Sequence, residues 1–117
     1  MSLNKEAILA IRDFTMTEVD VPEWGGKVQM RPMSGKERDA FEMEIQRRTK
    51  VGSMDSENLR VMLLALSLVD EAGKSLFTLA DMEALNEKSA VVICRLFEVA
   101  QKINGLTAQA IEGLGKN

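Results

Sequence analysis

The chain has 117 residues, a formal net charge of −3, no histidine and one cysteine. Without histidine it lacks the commonest general base and metal ligand, and one cysteine excludes an internal disulfide or a cysteine zinc cluster. We therefore predict no catalytic, cofactor or metal site, and the cytoplasm as its compartment, because the first residues lack the apolar stretch of a signal peptide.

The first thirteen residues are predicted to form an arm. Leu3–Arg12 can form one or two helical turns, with Asn4 as the cap and with Ile8 and Ile11 on one side. The same segment can equally remain flexible, because terminal residues are ordered only where something holds them.

Residues 17–33 carry the pattern of a β-hairpin. Val19 and Val21 alternate with polar residues, and Gly25-Gly26 is a strong signal for a two-residue turn. Such a turn predicts three cross-strand pairs: Trp24 with Lys27, Val21 with Met30, and Asp20 with Arg31. One face is then apolar, and it comprises Val19, Val21, Val28 and Met30. Trp24 at the tip is either a partial core anchor or a contact for a partner.

Residues 35–113 are predicted to be helical. Ser34 and Glu37 form a capping box before a helix that runs to about Thr49, and Thr78 with Asp81 begins a later one. A flexible joint, Val51–Glu57, supplies Asp55 or Ser56 as the next cap. A tight polar turn is predicted at Asp70–Lys74, with Gly73 in the left-handed conformation. The last long helix is predicted at Glu87–Ile103 and ends at Asn104-Gly105. Residues 114–117 are predicted to be a frayed tail.

Leu59–Val69 is the most apolar stretch of the chain. Nine of its eleven residues are apolar, and the two exceptions, Arg60 and Ser67, share one helical stripe. A helix of this kind must be buried. The last helix has a similarly wide apolar arc, in which we expect Cys94 to be a buried structural thiol. Two such helices in a small chain predict self-association into a homo-oligomer.

The predicted fold is therefore mainly α. It is a single small helical domain of four to five helices with one N-terminal β-hairpin, spanning residues 1–117.

Several segments of the chain resemble the tail assembly chaperones of long-tailed, lambda-like bacteriophages (siphophages). The resemblance runs over residues 17–107, in the order and spacing of the segments Pro22–Gly26, Ser34–Glu42, Leu66–Thr78, Met82–Ala90 and Arg95–Leu106. It implies a chaperone that binds the tape measure protein, keeps it soluble in the host bacterial cytoplasm while tail tube subunits assemble around it, and is not retained in the virion.

The resemblance also implies a second, longer product made by a programmed ribosomal frameshift, through which contact with the tail tube protein is more expected. Gly115-Lys116 could be encoded by a slippery run of this kind. The expected tape-measure-binding positions lie on the central and last helices, with Trp24 at the rim. They are Trp24, Met62, Leu66, Val92, Leu96, Val99 and Ile103. Nucleic acid and membrane are not expected partners.

Two other functions remain open from the sequence. One is a small helical DNA-associated regulator, for which Gly35–Lys50 is the best recognition helix although it contains four acidic residues. The other is a structural phage tail or connector protein, which would stay in the finished particle.

Overall fold

Helices dominate the computed structural model of the chain, which describes residues 1–52, 56–107 and 109–110. Eight helices and strands follow one another in these residues: α1 Lys5–Ala10, β1 Thr17–Val21, β2 Gly26–Met30, α2 Gly35–Lys50, α3 Ser56–Ser67, β3 Leu68–Val69, α4 Met82–Leu85 and α5 Ala90–Ile103. Single 3₁₀ turns occupy Pro22–Trp24 and Leu79–Asp81. The predicted mainly α fold with an N-terminal hairpin is confirmed.

The three strands form one antiparallel sheet in the order β1-β2-β3. The predicted hairpin is present, but the predicted register differs from the observed one by four residues. Met30 lies opposite Thr17, whereas the prediction placed it opposite Val21. The turn begins at Pro22, whose fixed φ suits the first position of a 3₁₀ turn, and Gly25 closes it with a φ of 78°. The predicted pair of Asp20 with Arg31 is therefore absent, and Asp20 lies opposite Lys27.

The predicted apolar face of the hairpin is correct despite the shifted register. A shift by an even number of residues leaves every side chain on its original face, because side chains alternate with a period of two. Val21 and Met30 are fully buried, and Val19 and Val28 pack against the core from its edge.

Helix α3 lies at the centre of the core. It packs against α5, α4 and α2, and Val61–Ala65 are at most 1% exposed. The cover that the sequence left to a partner is therefore supplied mostly by the chain itself. From α2 it comes through Phe41 and Ile45, which are both buried.

The central helix is shorter than predicted. It ends at Ser67, and Leu68–Val69 form β3 beside β2 instead of a last helical turn. The change begins where the carbonyl of Ser67 accepts the backbone N–H of Arg31 at 3.0 Å. Ser67 is also fully buried and accepts a hydrogen bond from the Asn104 amide, so it does not belong to a solvent-facing stripe with Arg60.

Most predicted helix ends are confirmed. Asn4 caps α1, Ser34 and Glu37 form a capping box on α2, and Thr78 with Asp81 forms another. Gly73 is left-handed, with a φ of 86°. The last helix begins at Ala90, three residues later than predicted, after a hydrogen-bonded turn through residues 86–88.

Three predictions concern residues that the structure leaves partly or wholly undescribed. The cap at Asp55, residues 53–55 of the joint Val51–Glu57, and the tail at 114–117 lie outside the described residues.

Candidate partner-binding surface

The seven predicted partner-binding residues fall into two groups in the structure. Three lie in the core and are at most 1% exposed, namely Met62, Val92 and Leu96. Leu66, Val99 and Ile103 are half-buried at the edge of the core, and Trp24 is 37% exposed. Only the second group can contact a partner without rearrangement of the core.

Trp24 lies on the rim of an apolar groove of about 520 Å³, which we call the Trp24 groove. The 3₁₀ turn at the hairpin tip places Trp24 on one side, and the segment around α4 forms the other. The residues that line it are Glu23, Trp24, Phe77, Ala84, Leu85 and Lys88. Its floor is largely hydrocarbon, since Leu85 is buried and Phe77 is half-buried.

An ion pair fixes the hairpin tip beside helix α5. Arg95 donates from Nη1 and Nη2 to the two carboxylate oxygens of Glu23, each at 2.8 Å. This bidentate geometry is the strongest form of such a pair. The hydrogen bonds from Arg95 lower the pKa of Glu23 to about 2, so the carboxylate stays ionised near neutral pH. The pair holds the wall of the Trp24 groove that carries Trp24.

Lys88 carries the charge on the groove that is available to a binding partner. Glu23 is neutralised by Arg95, whereas Lys88 is exposed on the rim and forms no ion pair with the described residues. The groove thus combines an aromatic wall, an aliphatic floor and one positive charge. Such a surface suits an apolar side chain that has a carboxylate next to it.

Helix α1 presents a second apolar surface. Its residues are exposed apart from the half-buried Ala7, and four exposed apolar side chains flank or lie on it: Leu3 (63%), Ile8 (54%), Leu9 (75%) and Ile11 (50%). The base of this arm is held by Arg12, which donates to the carbonyl of Ala72 at 3.0 Å. The Phe14 ring lies 5.3 Å from the guanidinium carbon of Arg31. The predicted arm is therefore a short helix anchored at its base.

Arg31 connects four parts of the chain beneath that anchor. It donates to the carbonyl of Gly73 at 2.9 Å and to the carboxylate of Glu37 at 2.7 and 3.2 Å. Burial raises the pKa of Glu37, but the hydrogen bonds from Arg31 and from the Ser34 backbone outweigh it and lower the pKa overall. The carboxylate that caps α2 therefore also fixes the end of the hairpin.

Sequence reasoning missed most of the Trp24 groove. Glu23 and Arg95 are 72 positions apart, and no local pattern links them. No pattern in the sequence pointed to Phe77 or Lys88 as part of this surface. The one available signal was the aromatic residue in a polar hairpin tip, which identified Trp24.

Cys94 was predicted to be buried, but it is half-buried. It lines a cavity of about 90 Å³ with Arg60 and Lys88.

Within the described ranges, no cluster of acidic or cysteine side chains is placed to hold a metal ion, and no helix is long and apolar enough to cross a bilayer.

Comparison with known proteins agrees with this architecture. The chain is similar in structure to the bacteriophage HK97 tail assembly chaperone, with a TM-score of 0.58 and 24% sequence identity over 89% of this chain and 92% of that one. At that identity the likeness establishes the fold alone. No curated protein sequence matches the chain. A family model described as phage tail assembly chaperone matches residues 2–113. Because this match covers nearly the whole length, the chain belongs to the phage tail assembly chaperone family.

Proposed function

We propose that the chain binds the tape measure protein of its phage in the host bacterial cytoplasm and keeps it soluble while tail tube subunits assemble around it, without remaining in the virion. The role is one of binding and needs no catalytic step. The Trp24 groove carries the proposal, because it is an open apolar surface on a chain whose central helix is otherwise enclosed. Concave, mostly apolar surfaces with a few polar groups are typical binding sites.

The groove suits an amphipathic helix as the bound segment. Helix-in-groove binding places apolar residues at a spacing of three or four into a hydrophobic cleft. Trp24 and Phe77 supply a large aromatic contact area, and Lys88 favours a segment in which an acidic residue lies beside the inserted apolar side chain. Half-buried Leu66, Val99 and Ile103 are further proposed contacts, whereas Met62, Val92 and Leu96 support them from the core.

Co-expression with the neighbouring tape measure gene tests this function. We expect the chain to increase the soluble yield of the tape measure protein and to co-purify with it. The Trp24→Ser variant should lose most of this effect, and Lys88→Glu should weaken it. Met43→Ser is the matched control, because Met43 is 69% exposed and lies outside the groove. No gain in soluble yield with the unaltered chain would refute the function, and equal loss in the control would refute the groove.

Self-association into a homo-oligomer is also part of the proposal. Its support is now the exposed apolar surface of α1, whereas the sequence pointed to the apolar central and last helices. The enclosed α3 no longer requires a second copy, but the exposed apolar residues of α1 have no cover among the described residues. A homo-oligomer that buries Ile8 and Leu9 should dissociate when both are replaced by serine, as measured by sedimentation velocity. An unaltered chain that remains monomeric at tens of micromolar would exclude this homo-oligomer.

We further propose that the gene makes a longer, frameshifted product that contacts the tail tube protein. Gly115-Lys116, which lies outside the described residues, is the expected slip position. Absence of a slippery heptamer in those codons, together with a single product in infected cells, would remove this part of the proposal.

The two other functions have less support. In α2, the proposed DNA-recognition helix, Arg38 pairs with Glu42, and Arg47 and Arg48 share Glu44, so two carboxylates already offset two of these three positive charges. A gel shift at physiological salt tests DNA binding. Mass spectrometry of purified particles distinguishes a chaperone, which is absent, from a structural or connector protein, which is present.

A further inference from the structure

The outer edge of strand β1 has no neighbouring strand in the described part of the chain. β2 lies between β1 and β3, so β1 forms one side of the sheet. Among the residues that the structure describes, none outside the sheet forms a hydrogen bond with the backbone of Thr17–Val21. An edge of this length can accept another extended segment.

The ladder identifies which backbone groups point outward. The backbone N–H of Arg31 donates to Ser67, and Gln29 lies opposite Val69, so odd-numbered residues of β2 bond towards β3. Hydrogen-bonding direction alternates along an antiparallel strand, so Val28 and Met30 bond towards β1. Their partners there are Val19 and Thr17. The N–H and C=O groups of the intervening residues, Glu18 and Asp20, therefore face away from the sheet.

The same two residues give this edge a negative charge. The side chains of Glu18 and Asp20 are 52% and 76% exposed, and one ammonium, that of Lys27, lies 3.1 Å from the first carboxylate and 3.9 Å from the second. One cation thus serves two anions. On the opposite face of the strand, Val19 is half-buried and Val21 is buried.

We propose that the outer edge of β1 binds an extended peptide segment of a partner protein in which lysine or arginine alternates with apolar residues. The segment adds a strand to the sheet through the outward N–H and C=O groups of Glu18 and Asp20. Its basic residues lie beside these two carboxylates, and its apolar residues extend the face that carries Val19. This surface is separate from the Trp24 groove, and it takes an extended chain instead of a helix.

A second copy of the same strand is a poor occupant of this edge. Antiparallel pairing of two β1 strands, with Val19 opposite Val19, would place Glu18 of each copy opposite Asp20 of the other. Like charges directly opposite one another destabilise a strand pair. Pro22 follows the strand immediately and limits pairing beyond Val21. The charges thus select against self-pairing and in favour of a basic strand.

Amide hydrogen exchange followed by NMR tests the proposal on the unaltered protein. The probe is the blocked peptide Lys-Val-Lys-Val-Lys-Val at saturating concentration. We expect exchange at the Glu18 and Asp20 amides to slow by about tenfold or more, because these N–H groups gain acceptors. The Val19 amide should change little, because it is already bonded to β2. Unchanged exchange at both Glu18 and Asp20 would overturn the proposal.

Two controls separate strand addition from simple charge attraction. The peptide Lys-Pro-Lys-Pro-Lys-Pro has the same charge but cannot form the ladder, so it should not slow exchange; equal slowing would overturn the proposal. The Glu18→Lys/Asp20→Lys variant should bind the peptide Glu-Val-Glu-Val-Glu-Val in preference to the lysine peptide. The milder Glu18→Gln/Asp20→Asn variant should bind the lysine peptide more weakly than the unaltered protein does. Unaltered binding of the lysine peptide by either variant would also overturn it.

Discussion

At the scale of single residues, Arg31 shows how one side chain acquires its role from the whole fold. The sequence predicted Asp20 as its partner across the hairpin. The structure instead directs its guanidinium to Glu37 and Gly73, beneath the Phe14 ring. The four-residue shift of register removed the first pair, and the end of β2 at Met30 left Arg31 free to reach the start of α2.

Replacing Arg31 by methionine should lower the free energy of unfolding by roughly 2–3 kcal/mol, because it leaves a largely buried carboxylate without its cation. Its side chain is only 12% exposed, and that of Glu37 19%. Arg38→Met is the matched control, since the pair of Arg38 with Glu42 is 37% and 36% exposed. The control should cost less than about 0.5 kcal/mol in urea denaturation. Equal losses in the two variants would contradict this role of Arg31.

The Glu23–Arg95 pair predicts a pH dependence. Hydrogen bonding to Arg95 lowers the pKa of Glu23 from 4.5 to about 2, so its contribution to stability is complete above pH 4.5 and is lost as the pH falls towards 2. The difference in unfolding free energy between the unaltered protein and Glu23→Gln should therefore be constant from pH 7 to about 5 and then shrink. Urea denaturation at each pH measures it. A difference that stays constant down to about pH 3 would show that the pair is absent in solution, because the pKa of Glu23 would then be the same in the folded and unfolded states.

At the scale of elements, the helix starts with a side-chain cap were predictable, and the long-range contacts between elements were not. The caps at Asn4, Ser34 and Thr78 depend on hydrogen bonds between residues two or three apart, so their sequence signals are local. Asn104 was predicted only as the end of the last helix. Its side chain also accepts the backbone N–H of Met33 at 2.7 Å and donates to Ser67 at 3.1 Å, which ties α5 to the sheet and to α3.

Replacing Asn104 by alanine should lower the free energy of unfolding by about 1–3 kcal/mol, because the Met33 N–H and the buried Ser67 hydroxyl lose their partner. Asn86→Ala is a suitable control, because Asn86 is exposed at the end of α4. Its effect should stay within about 0.5 kcal/mol. Chemical denaturation of both variants provides the comparison, and a neutral Asn104→Ala would show that water replaces the amide.

At the scale of the molecule, the chain encloses its most apolar helix by itself. The sequence predicted that α3 and α5 exceed what a small monomer can cover. The sheet face and the buried residues of α2, α4 and α5 cover α3 instead, and the largest exposed apolar side chains near the N-terminus lie in and around α1. The interface prediction thus moves from the central helix to the Trp24 groove and the arm.

Leu63→Ala should lower the free energy of unfolding by about 3–4 kcal/mol, because Leu63 is fully buried at the centre of α3 and the substitution leaves a cavity. Leu9→Ala removes the same atoms from a side chain that is 75% exposed, and it should cost under about 0.5 kcal/mol at concentrations at which the chain is monomeric. Thermal and urea unfolding measure both. Comparable losses would indicate that the arm packs onto the body of the protein.

Most elements of this protein, and which of their faces are buried, follow from its sequence by itself. Helical spacing, strand alternation and capping residues act between neighbours, so they identified the hairpin's apolar face, α2 and most of α3. The strand register, the ending of α3 at Ser67 and the Trp24 groove were decided by tertiary structure. Each depends on residues far apart in the chain, such as Arg31 with Ser67 and Glu23 with Arg95, whose meeting is set by how the elements pack together.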